Sequence, residues 1–76
     1  MSIGLWQIDS GTKVTISELS GSEHYLELIK LGLLPGDQLE VMGKAPFGGP
    51  IALKHLGHHF MALRKDLAER IQVQKI

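Results

Sequence analysis

The chain has no cysteine, which excludes disulfides, thiolate metal sites and cysteine nucleophiles together and suits a cytoplasmic location. It has no net charge either: eight basic and eight acidic side chains balance to zero. Nucleic-acid binders usually carry a basic excess, because neutralising phosphates dominates their affinity. Here Lys13, Lys44, Lys54, Arg64, Lys65, Arg70 and Lys75 are dispersed, without the interleaved aromatics of a single-strand platform, so no nucleic-acid partner is expected. No apolar run approaches the roughly 20 residues of a membrane-spanning helix. Residues Met1 to Trp6 lack the basic segment and apolar stretch of a secretory signal, and none is expected. Ser10, Ser17, Ser20 and Ser22 read as turn, strand or capping residues, with no nucleophile elbow around them. Gly43 to Gly49 lacks the lysine-serine or lysine-threonine end of a phosphate-binding loop. An enzyme is not expected.

What remains is a patterned, 43% hydrophobic chain of 76 residues, read as one domain over residues 1–76. A chain this short hides only about 60% of its unfolded surface, so its small core must be well ordered. The organising stretch is Leu31 to Pro50. Gly32 can take the left-handed conformation that ends helices. Pro35 and Gly36 suit the two corners of a tight turn. Gln38 to Lys44 then alternates as a half-buried strand that Gly43 can bend. Ala45-Pro46-Phe47-Gly48-Gly49-Pro50 is a broad loop.

Ahead of this stretch, Leu5, Ile8 and the Asp9-Ser10-Gly11 turn lead into a strand at Lys13 to Ser17, with Val14 and Ile16 on one face. Ser20 with Glu23 has capping-box spacing, and Ser22 is a second candidate cap, for a helix over roughly Glu23 to Leu31. The polar stripe of that helix is narrow (Glu23, Glu27, Lys30), so its apolar arc is wider than a surface helix needs. Either the helix is buried on two sides, or Leu26 or Ile29 is left exposed for a partner. After the loop come strands at Ile51 to Leu56 and His59 to Leu63, joined by a hairpin at Leu56-Gly57 or Gly57-His58. A short helical turn over Arg64 to Arg70 and a last strand at Ile71 to Gln74 end the chain. The pattern is mainly β: about five short strands in a small closed or nearly closed SH3-like barrel, one α-helix between strands 1 and 2, and a helical turn before the last strand.

These features resemble the FeoA family, small SH3-like proteins of bacterial ferrous iron transport. The resemblance lies in Leu5, Ile8 and Gly11 leading into Val14 and Ile16, in Leu31-Gly32-Leu33 with Pro35-Gly36, and in Leu39-Glu40-Val41. It continues in the loop Ala45 to Pro50, and in Ala62-Leu63-Arg64 with Ala68, Ile71 and Val73. It spans nearly the whole chain in order. It implies a cytosolic, non-catalytic accessory of a membrane ferrous iron transporter whose cytoplasmic part binds GTP. The same barrel ends iron-dependent repressors, but those place a DNA-reading helix-turn-helix ahead of it, and only about a dozen residues precede the first clear strand here. A metal-responsive co-regulator or metal-binding domain of that kind, and a small nucleic-acid-binding barrel, stand as alternatives.

The histidines His24, His55, His58 and His59 form no recognised ligand spacing, and His58 and His59 point to opposite faces of a strand. They are read as polar residues at an exposed turn; neither a metal site nor a cofactor is expected. Phe47, between Pro46 and Gly48, is either tucked under the barrel mouth or offered to a partner. With the wide helix arc beside it, the expected partner contacts are Tyr25, Ile29, Pro46 and Phe47. Self-association into a homo-oligomer is left open.

Overall fold

Period-two alternation of apolar and polar side chains builds one sheet. The computed structural model describes residues 3–19, 25–57 and 59–76. Within them six strands form: β1 (Ile3–Gly4), β2 (Lys13–Leu19), β3 (Gln38–Lys44), β4 (Ile51–His55), β5 (His59–Leu63) and β6 (Ile71–Lys75). A 3-10 turn at Leu5–Gln7 follows β1, helix α1 (Tyr25–Lys30) lies between β2 and β3, and helix α2 (Lys65–Ala68) precedes β6. Paired strands are all antiparallel, in the order β1-β6-β2-β3-β4-β5. The expected class holds, and two details differ. A sixth strand is present, because Ile3 and Gly4 pair with Val73 and Gln72; two residues are too few to carry a readable period. The sheet is also unclosed, with β1 and β5 as its edges. The chain leaves β1 at once through the 3-10 turn, which packs against β6 and α2, so little of β1 remains for β5 to pair with. Nearly equal extents of 27 × 26 × 25 Å show that the open sheet still wraps around its core.

Val14, Ile16, Leu39, Val41, Ile51, Leu53, Ile71 and Val73 line the inner face, and Leu5, Ile8, Leu28, Leu33 and Leu67 fill the ends. The core is wholly aliphatic. None of the four aromatic residues belongs to it: Trp6 only packs against it, and Tyr25, Phe47 and Phe60 are exposed. Two register shifts strengthen the local twist. In β2 the shift lies between Ile16 and Glu18, where Ser17 Oγ donates to the Gln72 carbonyl at 3.0 Å. In β3 it lies between Val41 and Gly43, at the expected bend.

Helix α1 ends as its sequence requires. Gly32 has φ +86°, its N–H donates to the Ile29 carbonyl, and the Leu33 N–H donates to the Leu28 carbonyl at 3.2 Å. This is the paired capping of a Schellman motif, and buried Leu28 and Leu33 supply its apolar contact. Leu34 to Asp37 follows as a turn closed by Asp37 N–H to the Leu34 carbonyl at 3.0 Å, with Gly36 at φ +94°. The caps expected at Ser20, Ser22 and Glu23, and His24 and His58, lie outside the described residues. The hairpin corner falls on Leu56 and Gly57, both at positive φ.

Two substitutions separate packing from backbone shape. Leu28→Ala is expected to cost about 2–5 kcal/mol, since it empties a fully buried site. Gly32→Ala is expected to cost about 1 kcal/mol, because open space surrounds the new methyl and only the left-handed φ resists it. Urea unfolding of both variants checks the ranking.

Candidate docking site

The helix arc comes out one-sided, not buried on two sides. Leu28 is fully buried and Ile29 is half-buried against the core, while Tyr25, Leu26 and Leu31 stay on the surface. Of the two positions weighed for exposure, Leu26 is therefore the open one, at 68%. Six residues cannot turn an apolar face to two walls when the sheet supplies only one.

Phe47 is not tucked. It is 104% exposed and holds φ +61°, followed by Gly48 at φ +73°. The Gly49 N–H donates to the Pro46 carbonyl at 3.2 Å, so Pro46 to Gly49 is a turn with both corners left-handed. The Ala45 N–H donates to the Pro50 carbonyl at 2.9 Å and closes the loop at its base. A bulky residue at positive φ is a real outlier, with a cost of order 1–3 kcal/mol. The phenyl ring is thus held outward by a short, doubly closed loop.

The two segments meet at the start of α2. Arg64 Nε donates to both Asp66 carboxylate oxygens, at 2.9 and 3.1 Å, and its Nη2 donates to Glu27 of α1 at 3.3 Å. The Asp66 hydrogen bond, then the charges of Asp66 and Glu27, raise the Arg64 pKa further above its ordinary value. On the other side, the Lys65 stem runs beside the loop: a methyl group added at Gly48 would lie 3.8 Å from Lys65 Cδ. Tyr25 and Ile29 lie on α1 and Pro46 and Phe47 on the loop, the two segments that Glu27 and Gly48 bring to either side of the start of α2. A polar depression of about 280 Å³ lined by Lys13, Gln38, Leu39, Glu40, Lys54 and Gly57 contains none of the four.

A model of the FeoA domain matches residues 3–75. The chain belongs to the FeoA family. It is 32% identical to a FeoA-like protein from Clostridium acetobutylicum, with a TM-score of 0.88 over 99% of this chain and 87% of that one. It is 28% identical to an iron uptake regulatory protein (FeoA) known from a crystal structure, with a TM-score of 0.84 over 100% of this chain and 99% of that one. A manganese-dependent transcriptional repressor solved with manganese shares 19% identity and a TM-score of 0.90, over 99% of this chain and 37% of the repressor. That likeness is one of fold, the SH3-like arrangement. No curated protein matches the chain.

The histidines of this FeoA-family chain are not all the exposed turn residues expected. His55 is 6% exposed, and its Nε2 lies 2.8 Å from Asp37 Oδ2. The same oxygen accepts the Leu34 N–H at 3.1 Å. The signal was present in the sequence: Ile51, Leu53 and His55 share one face of a strand, so the alternation itself carries His55 inward. Among the described residues no three His, Asp or Glu side chains converge as a metal site would require. The other residue missed is Trp6, whose ring lies under Lys44 and Lys65.

Removing the Asp37 carboxylate strands the buried His55 nitrogen. Asp37→Ala is expected to lower stability by about 1–3 kcal/mol. His55→Leu is expected to cost less, because Asp37 keeps the Leu34 N–H and some access to water. Denaturant midpoints for the two variants test that order.

Proposed function

We propose that this chain is a non-enzymatic accessory of ferrous iron uptake, acting in the cytoplasm by docking on the GTP-binding part of a membrane iron transporter. Family membership supports the iron connection, since one relative is an iron uptake regulatory protein and another is an iron(II) transport protein. The observation that carries the docking reading is Phe47, a large apolar ring fully in water on a backbone conformation that glycine would occupy more cheaply. A strained, exposed aromatic that contributes nothing to the core invites a role in contact with another molecule. The exposed Tyr25 and Leu26 add apolar surface on α1. No described helix is long and apolar enough to cross a membrane, so the membrane link in this reading runs through the partner. Docking alters the partner's cycle only in so far as one of its states is bound better than another.

The repressor-like alternative has the shared SH3-like fold behind it, but no convergent ligand set among the described residues favours it.

Phe47→Gly separates binding from folding. It is expected to leave stability unchanged or raise it by up to about 1 kcal/mol, by removing the strained side chain. It is expected to weaken binding to the transporter's soluble GTP-binding domain by about tenfold or more, as loss of an aromatic anchor does. Calorimetric titration with and without GTP measures this. Unchanged affinity removes the loop from the interface.

A further inference from the structure

We infer that the surface receiving Phe47 is an apolar socket on a folded protein, bordered by carboxylates that face Lys44 and Lys65. This inference rests on the docking reading and specifies the chemistry of its partner. Trp6 is the organising residue. It sits in the 3-10 turn with its ring partly packed on the core. Lys44 Nζ lies 5.3 Å from the ring centroid and Lys65 Nζ 5.6 Å from it, so both ammonium groups are held by cation–π attraction to one ring. Lys44 is the last residue of β3, directly before the loop, and Lys65 opens α2 with its stem running beside Gly48. The two lysines therefore lie beside the loop that carries Phe47, Lys44 at its base and Lys65 near its turn.

Neither lysine has a carboxylate partner among the described residues. The carboxylates nearest to them in sequence are engaged elsewhere, Glu40 by Lys54 and Asp66 by Arg64. The loop from Ala45 to Pro50 contains no charge. The surface is thus an apolar tip beside two like charges gathered at one ring, with no carboxylate paired to either among the described residues. An anionic rim on the partner relieves that repulsion and fixes orientation. The tip is convex, so the partner provides the cavity.

An anionic bilayer has the same sign, but one phenyl ring is too little to hold a protein there. Even a single myristoyl chain binds membranes only marginally, whereas one aromatic side chain in a protein pocket can dominate an interface.

The test uses the full chain and the transporter's soluble GTP-binding domain, titrated between about 50 mM and about 300 mM salt, a range over which the screening length shortens markedly. Wild-type affinity is expected to fall with salt. Lys44→Glu/Lys65→Glu is expected to weaken binding by about tenfold or more at low salt and to flatten the salt dependence, while Lys44→Arg/Lys65→Arg retains both. Thermal melts of each variant confirm folding, since both lysines are exposed. If the charge reversal leaves affinity and salt slope unchanged while Phe47→Gly weakens binding, the carboxylate rim is wrong and the docking reading stands. If the wild-type chain fails to bind the domain at any salt, both fall. Vesicles of phosphatidylglycerol and phosphatidylcholine form the second arm: co-sedimentation abolished by Phe47→Gly overturns the protein socket in favour of a lipid surface.

Discussion

Asp37 is the residue on which the rest of the molecule leans. Its N–H closes the turn on the Leu34 carbonyl, and its carbonyl accepts the Ile16 N–H of β2 at 2.8 Å. Its carboxylate takes the Leu34 N–H and His55 Nε2. Through backbone and side chain together, this one residue ties the end of the α1 segment, the middle of β2 and the end of β4 to the start of β3. Those segments are far apart in sequence, and bringing them together has an entropic cost that local propensity cannot meet. In a domain this small, where the aliphatic core is modest, a satisfied polar knot at the junction fixes which strands meet. The Gly36 N–H adds a bond to the Ile16 carbonyl at 2.7 Å, so turn and strand are joined in both directions.

The parts legible in the sequence are those that local chemistry decides. Val14 and Ile16, Leu39 and Val41, Ile71 and Val73 alternate inward because the sheet has one dry face, and that period is written in adjacent residues. Gly32, Pro35 and Gly36 mark the helix end and the corner because backbone dihedrals there suit little else. What stayed illegible depends on distant partners. Ile3 and Gly4 become a strand only because Val73 and Gln72 lie beside them. His55 reads as a turn residue by its polarity and as an inward one by its place in the alternation. Its burial is tolerable only because Asp37, eighteen residues away in sequence, lies opposite. The same holds for the candidate site. Phe47 was visible as a loop aromatic, but whether it faced in or out depended on a left-handed turn that its residue type opposes. Trp6 with its two lysines joins three separate segments and has no motif at all.

The distribution of aromatics ties fold to function. Globular cores normally take up large rings, which bring much buried area per residue. Here branched aliphatics do that work and every ring is left at the surface or against its edge. Phe60 on the edge strand β5 lies under Lys54, which also pairs with Glu40, so its exposure is partly offset within the chain. Phe47 has no such cover. The two exposed phenylalanines therefore differ: Phe60 is integrated among charged neighbours, and Phe47 stands fully in water.

A flexible loop would have presented Phe47 without strain. The chain uses instead a turn closed at Gly49 and again at Ala45, anchored on one side to β3 and flanked on the other by Lys65. Rigid presentation lowers the ordering cost of association, so more of the energy of burying one ring remains as affinity. Left-handed strain of order 1–3 kcal/mol is the cost of that geometry in the free protein. A glycine at position 47 would spare the chain this strain but would offer nothing to bury. Leu56 shows the same conflict at the β4–β5 hairpin corner, where the turn itself requires positive φ, but at Phe47 it coincides with full exposure of the ring, and such conflicts mark sites shaped by something other than folding.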